Sequence, residues 1–264
     1  MEEIDTFVVG DVHGRADLLR MMLDEFKVLA PGTYKVVFLG DLIDRGPDSQ
    51  LVVDMALETV ETLPGSRVIR GNHESVMLNF LLGIDHRAET FQRWLSEHGG
   101  DATLISYDMD PKTTNLETFR GQFRPDHLDF LRRSVKYVEM PKHILVHAGL
   151  VPGVPLAQQR EHDLMWIREQ FLFHTARFEK LVIHGHTVTY NLLPDVRENR
   201  IAIDTGAYGS GVLTAAHIIP RQTLPELYLT LPGYPSVLDY KWFKSESLAE
   251  LMEEIGLDAP ALLR

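Results

Sequence analysis

Five short apolar segments, each followed at once by polar side chains able to bind a metal, constrain the fold more than any other feature of this sequence. The segments are rich in β-branched residues and lead into the stretches GDVHG, GDLIDRG, GNHE, HAG and HGHT. In four of the five, the polar residue directly follows a glycine. Ligands of α/β sheets gather beyond the carboxyl ends of the strands, so we expect these side chains to converge in one pocket.

The segments between these strands predict covering helices. In residues 16–30 and 49–63, apolar side chains recur at helical spacing. A Pro-Gly pair directly follows each segment. The resulting β-α-β-α-β order predicts a largely parallel sheet with helices packed on it. Residues 84–134 are expected to be mostly helical. The predicted strands of this part of the chain are 6–10, 35–40, 66–71, two within 136–149, and 180–185.

The C-terminal third has a different pattern. The segments NRIAIDTG, GVLTAAHII and ELYLTLP follow one another without a helical segment between them, which predicts a second, antiparallel sheet. Residues 247–257 predict an amphipathic surface helix. Because no linker is evident, we expect one domain over residues 1–264, with a C-terminal extension from about residue 220.

Composition excludes several classes of function. The formal net charge of −12 disfavours a surface that binds a nucleic acid polymer. The absence of cysteine excludes disulfides, zinc-thiolate sites and a cysteine nucleophile. The N-terminal stretch MEEIDTFVVG lacks the pattern of an export signal, and no apolar run is long enough to cross a membrane. We therefore expect a soluble, cytoplasmic protein with no membrane partner.

The polar strand ends contain the ligand types of a metal centre. Asp11 and His13 are two residues apart, so on an extended segment they would face one ion together. Carboxylate, imidazole and amide ligands without thiolate suit Mn²⁺, with Fe or Zn²⁺ as alternatives. This set is too large for one tetrahedral ion and suits two ions that share Asp41, an arrangement typical of enzymes that act on phosphate esters. The candidate ligands are Asp11, His13, Asp41, Asn72, His147 and His186.

Each of these motifs has a simpler interpretation when taken alone. An isolated Asp-x-His is more often a turn, and the remaining histidines are expected on the surface or in the core. Phe91, Trp94 and Tyr107 could stack an adenine, although aromatic residues at such spacing are more often part of a helix core.

In their order along the chain, the five motifs resemble those of the phosphoprotein phosphatase branch of the calcineurin-like metallophosphoesterases. The similarity spans residues 9 to about 214, where IDTGAYGSGVLTA is also similar to bacterial and phage members. The resemblance implies an α/β fold, a four-layer α-β-β-α sandwich in which two mixed sheets are flanked by helices. Residues 84–134 would then form a helical lid beside the site.

The resemblance also implies a role for each site residue. Asp11, His13 and Asp41 would bind the first metal, and the second metal would be bound by Asp41, Asn72, His147 and His186. His73 would be the general acid, oriented by Asp44. Arg45 and Arg168 would bind phosphate, together with Asn72 and His73. From the residues alone, Asp44 could instead cap the helix near residue 48, Arg45 could form a loop ion pair, and Arg168 could be an exposed helix charge.

The expected reaction is in-line attack on phosphorus by a metal-bridging hydroxide, with His73 protonating the leaving alkoxide. Symmetrical diadenosine tetraphosphate hydrolases usually carry alanine at the position of Asp44 and aspartate at that of Glu74. The sequence therefore favours a serine/threonine protein phosphatase, and WLSEHGGDATLISY resembles a bacterial subset of these. The alternatives are a symmetrical diadenosine tetraphosphate hydrolase and an inactive scaffold that binds a partner. The oligomeric state stays open.

Overall fold

The computed structural model describes residues 4–240 and 245–257, and eleven strands lie within these ranges. They are β1 Asp5–Val9, β2 Tyr34–Phe38, β3 Arg67–Val68, β4 Tyr137–Glu139, β5 His143–Val146, β6 Leu181–His184, β7 Asp195–Val196, β8 Arg200–Ala202, β9 Thr214–Ile218, β10 Glu226–Leu229 and β11 Leu238–Asp239.

The helices of the described residues lie mostly in the N-terminal half of the chain. They are α1 Ala16–Leu29, α2 Ser49–Thr62, α3 Asn72–Leu81, α4 Ala88–Glu97, α5 Gly100–Ser106, α6 Leu116–Gln122, α7 Pro125–Arg132, α8 Glu161–Trp166, α9 Glu169–Leu172, α10 Ala207–Ser210 and α11 Leu248–Glu254. A 3₁₀ turn covers Leu156–Gln158.

The strands form two mixed sheets. The first has the order β11-β10-β9-β1-β2-β3, in which β1, β2 and β3 are parallel and β9 is antiparallel to β1. The second has the order β4-β5-β6-β8-β7, in which β5, β6 and β8 are parallel and both edge strands are antiparallel. Two mixed sheets with flanking helices confirm the predicted α/β fold.

Alternation of side chains along the strands explains the layers. In β1, Phe7 belongs to the core beneath the helices and stacks on Phe26 of α1, with ring centroids 4.0 Å apart. Val8 points the other way, into an apolar layer that also contains Ile183 and Ile201 of the second sheet. Because both faces of β1 are covered, its last three residues are apolar without alternation, as is usual for parallel sheets.

The prediction of a separate antiparallel sheet in the C-terminal third is wrong. β8 joins the second sheet in parallel with β6, whereas β9 pairs with β1 and extends the first sheet. The short helix α10 lies between β8 and β9. The local pattern predicted strands correctly, but it carries no information on which distant strand each one pairs with.

Helices α4 to α7 cover most of the 84–134 segment. Phe91, Trp94 and Tyr107 are buried in the same core as α1 and α2, so they are not free to stack an adenine. The role of this segment as a lid stays a prediction.

Helix α11 falls within the predicted helical range 247–257. Leu248, Leu251 and Met252 are buried against strand residues that include Leu229 and Leu238, so its apolar face is docked on the sheet. No helix in residues 4–240 or 245–257 is long and apolar enough to cross a membrane. The cytoplasmic location stays a prediction.

Candidate metal centre

The carboxyl ends of strands from both sheets meet at one buried pocket. Five candidate ligands follow these strands within four residues, and each is less than a tenth exposed. The first sheet supplies three of them and the second sheet supplies two. They are Asp11 after β1, Asp41 after β2, Asn72 after β3, His147 after β5 and His186 after β6.

Two groups of side chains could each hold an ion, and they share Asp41. The first group is His13, Asp41 and His73, and the second is Asp41, His147 and His186. Within each group the potential ligand atoms lie within 4.8 Å of one another. The two oxygens of Asp41 face different groups: Oδ2 is 3.6 Å from Nε2 of His13, and Oδ1 is 3.5 Å from Nε2 of His147. One carboxylate therefore lies between two potential cation sites.

Hydrogen bonds orient His13 and His147 so that one ring nitrogen of each points its lone pair into the pocket. Nδ1 of His13 is 2.7 Å from the carbonyl oxygen of Ile43, and Nδ1 of His147 is 2.9 Å from that of Leu39. A carbonyl oxygen can only accept, so each Nδ1 must donate and each Nε2 presents a lone pair. Burial lowers the pKa of both imidazoles, which favours the neutral form that binds metals.

His186 and Asn72 complete the second group. Burial lowers the pKa of His186 to about 2, and among the described residues its buried Nε2 has no hydrogen-bond partner. The side-chain amide of Asn72 is assigned with its oxygen towards His147, and this oxygen lies 2.9 Å from Nε2 of His147. The amide oxygen and Nε2 are both acceptors, so they face each other without a proton between them. A divalent cation would relieve this contact, so the residues fit a metal centre.

The structure places Asp11 differently from the sequence interpretation. His13 has φ of +44°, so the chain turns there and Asp11 and His13 do not share one extended face. The Asp11 carboxylate instead accepts the backbone N–H of His186 at 3.0 Å. It belongs to neither of the two groups above. Its role as a metal ligand stays a prediction.

Three buried carboxyl groups lie close together in this pocket. Burial and the charges of Asp204 and Asp41 raise the pKa of Asp11 well above its usual value. Burial also raises the pKa of Asp204 to about 6. Sequence analysis did not single out Asp204. Such crowding of negative charge favours bound cations.

Several site residues have left-handed backbone conformations that residues other than glycine seldom adopt. The set is His13, Asp41, Asp44, Arg45 and His186, with φ between +44° and +72°. Glu74 holds the turn at Asp41, because its carboxylate accepts the backbone N–H groups of Asp41 at 2.8 Å, Leu42 at 2.7 Å and Gly71 at 3.0 Å. The sequence signal for this role was the place of Glu74 in the first turn of α3, where a carboxylate can reach back to free N–H groups.

Glycines in the motifs allow the loops to approach one another. A Cβ atom on Gly185 would collide with the Asp11 carboxylate, and one on Gly71 would collide with Asp41. The φ angles of these two glycines are ordinary, so glycine is needed here for the close approach and not for an unusual backbone conformation.

His73 is held by Asp44 at the edge of the first group. Its Nδ1 is 2.6 Å from Oδ2 of Asp44, and both residues are buried. Although burial alone would lower the pKa of His73, the charge of Asp41 and the hydrogen bond to Asp44 raise it. These contacts shift His73 towards its protonated form, whereas the pKa of the other histidines of the pocket is lowered.

Two residues that sequence analysis did not connect with Asp44 support it. Trp94 donates from Nε1 to Asp44 at 2.9 Å, and Thr103 donates from Oγ1 at 2.6 Å. Trp94 and Thr103 lie 50 and 59 positions after Asp44 in the chain, so no local sequence pattern links them to it. The alternative that Asp44 caps the helix near residue 48 is wrong, because its carboxylate is used here and Asp48 is the N-cap of α2.

The two arginines lie at different depths. The guanidinium of Arg45 is 2.7 Å from Nε2 of His13 and 3.1 Å from Nε2 of His73, and it lies over the ring of Tyr208. These contacts of Arg45 are with two histidines and a tyrosine ring, so they differ from the loop ion pair that the sequence also allowed for Arg45. Arg168 is exposed at the rim, where its Nη1 donates to Oγ1 of Thr187 at 3.3 Å.

Comparison with known proteins agrees with this geometry. Residues 5–190 match the family model for calcineurin-like phosphoesterases. The chain belongs to this family, whose members act on phosphate esters.

Among curated relatives, serine/threonine-protein phosphatase 1 of Salmonella typhimurium is 28% identical over 80% of this chain and 91% of its own length. An asymmetrical bis(5'-nucleosyl)-tetraphosphatase of Anoxybacillus flavithermus is 23% identical over 82% of this chain and 91% of its own length. The resemblance to the phosphoprotein phosphatase branch is thereby confirmed, while the names of the relatives cover two substrate classes.

Solved structures show the same fold. One is a crystal structure provisionally named as a diadenosine tetraphosphatase, with a TM-score of 0.62 and 20% identity over 88% of this chain and 95% of that one. Another is a protein serine/threonine phosphatase of Saccharomyces cerevisiae, with a TM-score of 0.56 and 13% identity over 88% of this chain and 81% of that one.

Proposed function

We propose that the protein is a two-metal phosphomonoesterase that hydrolyses phosphoserine and phosphothreonine in proteins. The observation that carries this proposal is the buried pair formed by His73 and Asp44, joined at 2.6 Å beside the two potential cation sites. A serine or threonine alkoxide is a poor leaving group and needs a proton as it departs, whereas a nucleotide leaves readily as an anion. A histidine held protonated is therefore of most use on phosphomonoesters of alcohols.

Within this proposal, the ligands hold two divalent ions, with Mn²⁺ preferred by the mixed carboxylate, imidazole and amide donors and Fe or Zn²⁺ as alternatives. Such a pair supplies Lewis acidity and an activated water at neutral pH. Asp11, His13 and Asp41 would hold one ion. The other would be held by Asp41, Asn72, His147 and His186.

The remaining residues bind the phosphate and move the proton. Arg45 orients equatorial oxygens of the phosphate from inside the pocket, and Arg168 reaches them from the rim. His73 donates a proton from Nε2 to the leaving oxygen, while Asp44 keeps its ring oriented through Nδ1. Asn72 lies next to His73 and faces the same phosphate.

A second candidate is hydrolysis of dinucleoside polyphosphates, because two relatives that match about four fifths of this chain are named asymmetrical bis(5'-nucleosyl)-tetraphosphatases. The two candidates are separated by kcat/KM of the Mn²⁺-loaded protein on a phosphothreonine peptide and on diadenosine tetraphosphate. We expect the peptide to be preferred. A preference for the nucleotide of more than about tenfold, equivalent to about 1.4 kcal/mol of transition-state binding, would overturn the proposal.

An inactive scaffold is the third possibility. The presence of all the expected ligands around one pocket argues against it. Metal-stripped protein assayed on p-nitrophenyl phosphate should be inactive and should gain activity when Mn²⁺ is added. If Mn²⁺, Fe²⁺ and Zn²⁺ all fail to produce activity, the scaffold interpretation would stand.

A further inference from the structure

A groove with a volume of about 1150 Å³ includes Thr187 in its lining. Thr187 directly follows His186 of the centre and accepts the hydrogen bond from Arg168. The other walls are the 188–192 loop, the 172–175 segment, the strands β7 and β8, and the start of α11. A ligand whose phosphate is held by Arg168 would therefore have this groove next to it.

Hydrogen bonds hold the walls of the groove in place. Asn199 donates to the carbonyl oxygen of His174 at 2.6 Å, which fixes the 172–175 segment to the start of β8. Asn191 donates to the carbonyl oxygen of Glu246 at 2.8 Å, and the backbone N–H of Leu248 donates to that of Asn191 at 3.2 Å. The groove is thus formed before a ligand arrives, which lowers the free-energy cost of binding.

Large apolar side chains stand exposed along the same groove. Phe173 is 78% exposed, Tyr190 is fully exposed, and Val188 lies between the centre and Tyr190. Exposed aromatic side chains of this kind commonly supply much of the affinity at protein interfaces.

The charges of the groove do not suit a polyphosphate. The charged residues that line it are three acids, Asp195, Glu198 and Glu246, and two bases, Arg197 and Arg200. Both bases are already paired with Asp195, at 2.7 Å and 2.9 Å. Exposed aromatic rings and no excess positive charge match an uncharged stretch of polypeptide.

We propose that this groove binds the peptide chain of the substrate next to its phosphorylated residue. The proposal rests on the proposed function and adds a docking site to it. Apolar side chains of the peptide pack on Phe173 and Tyr190, the large exposed side chains of the groove.

The test compares two substrates of different length, acetyl-phosphothreonine amide and a longer phosphothreonine peptide with apolar flanking residues. One double variant alters the groove, Phe173→Ser/Tyr190→Ser. The matched control is Leu224→Ser/Val28→Ser, which changes two exposed apolar residues that do not line the groove. All proteins are assayed loaded with Mn²⁺, and diadenosine tetraphosphate is included as a third substrate.

For the groove variant we expect kcat/KM on the long peptide to fall about two- to tenfold through KM, as loss of apolar contacts implies. The short substrate and the control variant should be unaffected. Unchanged turnover of the long peptide, or an equal loss on both peptides, overturns this inference and leaves the proposed function intact. A loss confined to diadenosine tetraphosphate overturns it in favour of a nucleoside site. Wild-type protein that hydrolyses only the nucleotide overturns the proposed function, and this inference with it.

Discussion

Asp41 is the residue on which both halves of the centre depend. Its two oxygens face His13 and His147, and its own φ of +50° is held by the hydrogen bond from its backbone N–H to Glu74. One carboxylate oxygen is therefore available to each group.

Replacement of His73 by Asn tests its role as a proton donor. The amide cannot protonate a leaving group, so the variant should lose about 10²- to 10⁴-fold in kcat on a phosphothreonine peptide. Turnover of p-nitrophenyl phosphate, whose leaving group needs no proton, should fall far less. Both substrates are assayed at full Mn²⁺ loading, with metal content measured on the same samples. Equal losses on the two substrates would contradict the assignment.

Replacement of Thr103 by Val tests whether the support of Asp44 matters for turnover. The change removes the hydroxyl that donates to Asp44 and keeps the shape of the side chain. We expect kcat on the phosphothreonine peptide to fall at least about tenfold, since hydrogen bonds to charged groups are among the stronger ones.

Two further variants distinguish positioning from general stability. Thr103→Ser restores the hydroxyl and should recover most of kcat. Thr59→Val removes another buried hydroxyl, which donates to the carbonyl oxygen of Met55 and does not contact Asp44. If Thr59→Val lowers kcat as much as Thr103→Val does, Thr103 has no specific role.

At the scale of elements, the turn after β6 must pack against the turn after β1. Gly185→Ala places a methyl group against the Asp11 carboxylate, so one of the two turns must move. We expect a loss of about 1–3 kcal/mol in the free energy of unfolding and less metal bound per chain, measured by denaturant titration and elemental analysis. Gly121→Ala in α6 meets no neighbouring atom and should keep the full metal content. Full metal content in Gly185→Ala would show that this close approach is not needed.

The packing of α7 on α2 gives a pH-dependent contribution to stability. His127 donates from Nε2 to Asp54 at 2.9 Å and accepts from the hydroxyl of Tyr107 at 2.7 Å, so it is buried in its neutral form. Burial lowers the pKa of His127 below its ordinary 6.5. The unfolded chain therefore binds more protons than the folded chain, and stability is lost as the pH falls below 6.5.

The thermal midpoint of the wild type should accordingly fall between pH 7 and pH 5 more steeply than that of His127→Gln. His162→Gln, at an exposed position, serves as the control and should follow the wild type. Parallel curves for His127→Gln and the wild type would exclude this contribution.

How far the sequence predicts the site can be judged from single elements. The polar residues after β1, β2, β3, β5 and β6 were predicted to converge because parallel strands end at a common edge, and they do. The turn at His13 was not predicted, since nothing in the residue type indicates φ of +44°. That conformation depends on a tertiary contact, because the backbone N–H of His13 donates to the carbonyl oxygen of Asp41 at 2.8 Å.

Contacts between distant segments account for the other differences. The pairing of β9 with β1 joins residues about two hundred positions apart, and the strand pattern does not specify such a partner. The same holds for Trp94 and Thr103 beside Asp44 and for the groove that Thr187 lines. Each depends on where a whole helix or loop packs.

At the scale of the molecule, the two sheets are held together by an apolar layer and by the centre at their common edge. The layer contains Val8, Leu39, Leu145 and Ile183, and the centre takes Asp41 from one sheet and His147 and His186 from the other. Buried carboxylates in a chain of net charge −12 repel one another, and bound cations would offset this repulsion. Metal should therefore stabilise the packing of one sheet on the other.

The number of Mn²⁺ ions bound per chain, measured by elemental analysis of the reconstituted protein, tests the central claim most directly. The two proposed ligand sets, which share Asp41, predict two ions per chain for the wild type and fewer than one for Asp41→Asn. A wild type that binds at most one ion, or an Asp41→Asn variant that keeps both, would contradict the account.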